Sequence, residues 1–473
     1  MPASRLTTPL FIACGVVLLA AALLMGIGFG SADPGGPDDG LLHLAGATAL
    51  LRGEDYPLVQ RPPLYSAVIA LAARLTGVST VSADSIVPEA QELGSIDFFG
   101  VAAALHTESV LRTLLWLNII CWLTAALLTL LTLRHLKLGT VGLIIATAGL
   151  LLPSSWRMVG IVSETTLCQL LVAVGVYAAA RSWRRNSRQV VWWLVAGTAF
   201  ALLAFTKPTF QLLSPLLIVA ALIFVPLLNR RAFGFAIRAV VLILIPWIVI
   251  VGGWSLRNQS QHGFLGMSGV GGVALSTRTA LYVERGAEAF PEEAPVFAQI
   301  RDELFVQTPQ KPDVVYWGAR ASNWLMSARG LSYLDANRFL TAYNLAAIRA
   351  APLNYLLTTA QSAVYFQFPS VDADWPTVLR LIASGLELVW IVVFWLIALL
   401  WLSLHVLAKL GWLTKHITTA DALIALSVLI CLYTMAVSSA VDVGKPEHRL
   451  PVQMLTVIVI VLAMARSRFK PHP

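Results

Sequence analysis

The sequence predicts an all-α polytopic membrane protein with about ten transmembrane helices, and three observations carry that prediction. Hydrophobic residues make up 58% of the 473-residue chain and charged residues only 12%, far from the balance of a soluble chain of two or three domains. Apolar runs of roughly 20 residues recur, the length that crosses about 30 Å of hydrocarbon. Lys and Arg gather in alternate connecting segments that the acids avoid, as short cytoplasmic loops do.

Taken in order, the spans fall near residues 9–28, 112–132, 139–155, 161–180, 189–206, 210–228, 236–254, 383–405, 418–439 and 451–465. The first run, ending near "GFGSAD", resembles a signal sequence. It is longer than a signal's apolar core, and removing it breaks the charge alternation, so it is the first span. With the N-terminus cytoplasmic, the inside segments are 1–8, 134–138, 181–188, 229–238, 405–416 and 466–473. They hold 15 Lys or Arg, including Arg5, Arg181, Arg184, Arg185, Arg188 and Lys470, and none of the 25 acids. Both termini are therefore expected in the cytoplasm of a plasma (inner) membrane protein, with the acids on the periplasmic or extracellular side. The net charge of +8 is mostly this inner-face excess and suits anionic lipid headgroups rather than nucleic acid. Cys14, Cys121, Cys168 and Cys431 all lie in spans without paired spacing, which argues against redox chemistry or a disulfide framework.

This divides the chain into an N-terminal membrane module (1–254), an outer-face region of short helices (255–382) and C-terminal membrane helices (383–473). Within the first outer loop, 29–111, Leu41–Leu51 carries only His43 and Thr48 as polar residues, and Gly53 ends it as a helix stop. Pro62 and Pro63 set up a second helix, Leu64–Thr76, closed by Gly77. At 1.5 Å per residue it reaches about 20 Å, too short to span. Both helices are expected to be juxtamembrane. Residues 78–111 read as a polar loop. The outer-face region reads as short amphipathic helices over the membrane, with no sign of a separately folding soluble enzyme domain.

Ionisable groups at the outer ends of spans are costly and mark functional sites. Asp38 and Asp39 follow the first span, Arg61 precedes the double proline, and Glu164 opens the fourth span in "VSETTLCQLL". Lys207 closes the fifth in "FTKPTF", Arg257 and Asn258 close the seventh in "WSLRNQSQHG", and Glu447, His448 and Arg449 precede the last in "KPEHRLPVQML". All fall on one side of the membrane. A carboxylate there can act as general base toward a hydroxyl, and the cations can hold a phosphate and stabilise it as a leaving group. Each also has a plainer role. The aspartates suit a loop or a helix N-cap, the cations suit snorkelling at the interface, Glu164 suits pairing with Arg157, and His448 suits a structural place. The combination is the signal. A transporter or flippase of lipid-linked saccharides is the alternative from another class, but it would place ionisable groups near the bilayer midplane, where these spans are nearly charge-free.

In order along the chain, "PDD", "ALLRG", "RPPLY", "RLTG", "SETTL", "FTKPT", "WSLRNQSQHGFLGMS" and "HRLP" resemble the pattern of the C-type (GT-C) polyprenyl-phosphate-sugar glycosyltransferases. The similarity is greatest to protein O-mannosyltransferases and lipid A aminoarabinose transferases. The acidic pair is Asp-Asp where that family often has Asp-Glu, Leu42 or His43 replaces the usual aromatic, and Leu450 replaces a Tyr. The resemblance implies a GT-C-like helical bundle and an inverting hexosyl or pentosyl transfer from a polyprenyl-phosphate donor. The acceptor would be the hydroxyl of a glycan, lipid or protein. It implies Asp38, or its neighbour Asp39, as the catalytic carboxylate, and Lys207, Arg257 and Arg449 toward the donor phosphate. Arg61, Tyr65, Glu164, Asn258 and His448 would shape the substrate pocket. No cofactor is required by the sequence, although some relatives use a divalent metal near the loop carboxylates.

Overall fold

A computed structural model of the chain describes residues 4–34, 40–56, 60–78, 86–87, 101–136, 138–183, 188–228, 233–307, 314–369, 376–409, 418–442 and 444–466. Asp38, Asp39, Arg184, Arg185 and Lys470 lie outside these. All ten apolar runs are helical. Helix α1 (Ser4–Phe29) leads to the short α2 (Gly40–Arg52) and α3 (Leu64–Leu75), then to the 28-residue α4 (Glu108–His135). The third run is broken: α5 (Thr140–Leu150) and α6 (Pro153–Trp156), with the 3-10 turn that follows it, meet at 67°. Pro153 opens α6 and cannot donate back to the preceding turn, which explains the break. Then come α7 (Thr165–Ser182), α8 (Gln189–Ala204) and α9 (Leu213–Leu228). Helix α10 (Phe233–Trp247) continues through a π segment (Ile248–Gly252) into α11 (Gly253–His262).

Among the described residues seven helices are long and apolar enough to cross a membrane, or eight with the bent pair. The other two spans, α8 and α9, have 16 residues each. The protein is a multi-pass membrane protein.

Helices α4 and α7 run through the middle of the bundle, burying Trp122, Leu130, Cys168 and Val176. The last helix, α19 (Gln453–Arg466), is enclosed too: 78% of its span is buried, against 22% for α1, for the α10–α11 span and for α17 (Thr377–Lys409). Those three present Leu24, Ile27, Val249, Leu381 and Val389 outward, which is stable only against lipid. Close approach comes from small residues, as membrane helices require: a Cβ on Gly197 of α8 would sit 2.7 Å from the Ile243 Cα of α10. Helix α18 (Thr419–Val441) starts with a capping box, Thr418 and Asp421 satisfying each other's backbone N–H groups.

Two expectations are corrected. The stretch 78–111 is not simply a loop, because β1 (Ile86–Val87) and β2 (Val101–Ala102) pair antiparallel, and α4 already begins at Glu108. The helices expected on the outer face also form a lobe with its own core, called here the outer lobe after that expectation. Helices α12 (Gly271–Thr279), α13 (Glu293–Gln307), α14 (Val314–Arg329) and α15 (Tyr333–Ala350) enclose Phe297, Trp317, Leu325, Leu340 and Tyr343. Phe297 meets Tyr343 edge-on at 4.8 Å and Trp317 at 5.8 Å, the favoured aromatic geometry. Helix α16 (Pro352–Tyr365) joins this lobe to α17 and ties to the end of α18 through a hydrogen bond from Tyr355 Oη to the Ala440 carbonyl.

Candidate functional site

The chain after α1 is pinned to the loop before α7. Asp33 N donates to Gly160 O at 2.8 Å, and Val162 N donates to Asp33 O at 2.9 Å. On the far side of residues 35–39, Gly40 is pressed into the same place: a Cβ there would lie 2.7 Å from Pro34 O and 2.8 Å from Val162 O. Only a glycine opens α2 at that distance. This register sets His43, one turn into α2, beside the start of α7.

Glu164 stands at the N-cap of α7 and is 2% exposed. Its two oxygens are divided. Oε1 takes Lys207 Nζ at 2.8 Å, and Oε2 takes His43 Nε2 at 3.1 Å. Lys207 reaches in because the following Pro208 holds it extended at the end of α8. The His43 and Tyr65 rings, the latter on α3, meet nearly perpendicular at 5.0 Å. Tyr65 Oη donates to Asn118 Oδ1 at 3.5 Å, while Asn118 Nδ2 donates to Val159 O and Ile161 O at 3.1 and 2.9 Å. Burial, then the nearby Glu164 charge, pushes the Tyr65 phenol up, so it stays a neutral donor. Arg61 is close enough to act electrostatically on Glu164 and on Tyr333 of the outer lobe. Burial pushes the Tyr333 phenol up to about 12, although Arg61 and a hydrogen bond with Gln60 oppose the shift.

A second group sits against this one. Arg257 lies over the Trp254 ring at 4.5 Å and donates to Tyr56 O at 3.3 Å and Asn258 Oδ1 at 3.5 Å. Tyr56, at the end of the loop after α2, meets Trp254 at 6.0 Å, and Trp254 meets Phe205, two residues before Lys207, at 5.3 Å. Asn258 is 2% exposed and donates to Gly266 O at 2.8 Å, which fixes the turn into the outer lobe. Arg257 has no carboxylate partner among the described residues, unlike Lys207.

Arg449 and His448 belong to a third group. Arg449 is buried, with Nη1 donating to Phe366 O and Phe368 O at 3.2 Å each and Nε donating to Gln453 Oε1 at 3.1 Å. His448 is 3.8 Å from Asp442, and Arg157 pairs with Glu447 at 3.0 Å. The expected Arg157–Glu164 pairing is therefore absent, and Glu164 uses Lys207 instead. This third group abuts α7 through Gln169, whose amide donates to Leu450 O at 3.0 Å.

Thus the structure gathers Glu164, Lys207, Tyr65 and Arg61, sets Arg257 and Asn258 alongside, and holds Arg449 and His448 apart at the start of α19. His43 and Tyr56 escaped the sequence reasoning as site residues. The signal for His43 is its place as the only ionisable residue between Leu41 and Leu51, four positions after Asp39. Among the described residues no three His, Cys, Asp or Glu side chains gather to hold a metal.

No protein-family profile and no curated protein sequence matches the chain. The structure does resemble that of the archaeal oligosaccharyltransferase AglB from Archaeoglobus fulgidus in complex with an inhibitory peptide and a dolichol-phosphate. The TM-score is 0.52 at 10% identity, over 96% of this chain and 50% of that one. The chain has the GT-C fold. It spans about half the length of that GT-C relative. ArnT from Cupriavidus metallidurans bound to undecaprenyl phosphate aligns with 96% of this chain and 77% of its own at TM-score 0.38 and 13% identity. Its apo form aligns at 0.34 and 12%, over 98% of this chain and 78% of its own.

Proposed function

We propose that the protein is an integral-membrane glycosyltransferase that moves a sugar from a polyprenyl-phosphate donor to an acceptor hydroxyl on the non-cytoplasmic side. The observation that carries this reading is a GT-C bundle in which buried Glu164 and the partly buried Lys207, with His43 and Arg61, meet at the ends of the spans beside Arg257. The lipid phosphate in the AglB complex supports the donor class, and the acid-free inside loops support the side.

In this reading Arg257 and Lys207 hold the donor phosphate and stabilise the charge that grows as it leaves. Such fixed cations act most strongly where the developing charge sits. Asp38, or its neighbour Asp39, is the base. An alcohol is too weak an acid to be ionised beforehand by a carboxylate with a pKa near 4, so the proton moves only as the acceptor oxygen attacks. The acceptor O–C bond forms at the anomeric carbon, the C–O bond to phosphate breaks, and polyprenyl phosphate leaves with inversion. Tyr65, Glu164, Arg61, Asn258 and His448 shape or support the pocket, and Arg449 supports the base of α19. This reading requires no divalent metal and is compatible with one near the loop carboxylates.

The test is transfer from a radiolabelled polyprenyl-phosphate sugar in proteoliposomes. Asp38→Asn is expected to insert normally and to lose transfer. Full activity in both Asp38→Asn and Asp39→Asn would remove the assignment of the base.

A further inference from the structure

His43 is completely buried, yet it sits on an apolar helix where a leucine would pack equally well. A buried imidazole is retained against that alternative only if its nitrogens are used. One of them is: Nε2 lies 3.1 Å from Glu164 Oε2. The other, Nδ1, is buried with no hydrogen-bond partner among the described residues, so the ring is held there by one polar contact and by the perpendicular Tyr65 ring at 5.0 Å. The contact that remains is aimed at the carboxylate that carries Lys207.

The two oxygens of Glu164 share one plane. Fixing Oε2 on His43 therefore fixes the direction of Oε1, and with it the site of Lys207 Nζ, 2.8 Å away. Without His43 the carboxylate can rotate, and its contact with Lys207, whose side chain is 13% exposed, loses its defined direction. Glu164 touches both His43 of α2 and Lys207 at the α8–α9 junction through its two oxygens, so it links α2 to Lys207.

We propose that His43 is a positioning residue: its Nε2–H orients the Glu164 carboxylate so that Lys207 is presented to the phosphate of the lipid donor. The donor's part rests on the glycosyltransferase reading; the orientation of Lys207 does not. His43→Leu removes the hydrogen bond and keeps the bulk. His43→Gln restores a side-chain N–H near the position of Nε2, and His43→Asn restores a polar group near Nδ1 only.

Two measurements on the full-length protein in detergent separate the parts. The first is the rate at which acetic anhydride labels Lys207, followed by peptide mass spectrometry. The second is KM for the lipid donor alongside kcat. His43→Leu should label at Lys207 at least threefold faster and raise donor KM about tenfold, with kcat changed less. His43→Gln should return both toward wild type. If His43→Leu does not fold, His43→Asn takes its place with the same expectation. Unchanged Lys207 labelling would overturn the proposal, and so would a glutamine variant no better than leucine. Faster labelling with an unaltered donor KM would leave His43 as the orienting group and remove Lys207 from the donor site.

Discussion

Replacing Glu164 by alanine while leaving Lys207 in place tests the energetic centre of the site. Both side chains are largely out of water, 3% exposed for Glu164 and 13% for Lys207, so removing the acid strands a cation in a poor dielectric and leaves the His43 ring without its acceptor. Breaking a buried pair from one side costs about 3–5 kcal/mol, whereas replacing both partners with apolar groups of similar size is often neutral. The single variant is therefore expected to lose stability by about that amount, and Glu164→Leu combined with Lys207→Met to recover most of it. Reversible unfolding of the protein in mixed micelles, followed by tryptophan fluorescence, gives both numbers. If the single and double variants lose the same amount, the carboxylate is not offsetting the lysine's burial. The contact at 2.8 Å would then be incidental to the fold.

Three further outcomes follow from the same geometry. Arg257→Gln removes a cation that no carboxylate neutralises among the described residues, and a charge-assisted phosphate bond contributes roughly 1.5–3 kcal/mol. Donor KM should therefore rise about 10- to 100-fold and more than in Lys207→Met; equal effects in steady-state kinetics would refute the ranking. Trp317→Ala should cost about 3–5 kcal/mol by emptying the centre of the outer lobe, read as early protease cleavage within 264–350 while the membrane core stays intact. Glu284 is held below the usual carboxylate range chiefly by its hydrogen bond to Arg301. A depressed folded-state pKa contributes stability above the unfolded value that is lost as pH falls through the folded one. Acidification below about pH 4 should therefore loosen the lobe in hydrogen exchange, and Arg301→Met should flatten that dependence.

The spans were legible because lipid imposes a length on every crossing, and the short helices α2 and α3 because Gly53, Pro63 and Gly77 punctuate them. Gly53 and Gly77 do adopt positive φ, 71° and 91°. Pairings between distant segments were not legible. Arg157 is the cation nearest Glu164 in sequence, yet it reaches Glu447, 290 positions away, while Glu164 takes a lysine 43 positions on and a histidine 121 back. The outer lobe was missed for the same reason. Its core joins Phe297 to Trp317 and Tyr343, and each helix alone looks like an amphipathic segment suited to a membrane surface. Asp38 and Asp39 stand out by their place after the first span and by the resemblance of "PDD" to the family's acidic pair, and they lie outside the described residues.

The cations expected to share one task are distinguished by what already occupies them. Arg449 spends three of its contacts on the Phe366 and Phe368 carbonyls and Gln453, which fastens the end of α16 to the start of α19. A guanidinium fixed that way is costly to redirect, since moving it would strand buried carbonyls. Lys207 is charge-balanced by Glu164, so an incoming phosphate must either compete with that carboxylate or share the ammonium with it. Among the described residues Arg257 is stacked on Trp254 and bonded only to a carbonyl and an amide oxygen. It faces neither obstacle. Desolvating a lipid phosphate is repaid best by a cation that gives up no partner of its own to receive it. On the proposed glycosyltransferase reading, Arg257 therefore makes the first contact with the donor phosphate and Lys207 the second, with Glu164 limiting how much positive charge the site shows before a donor arrives.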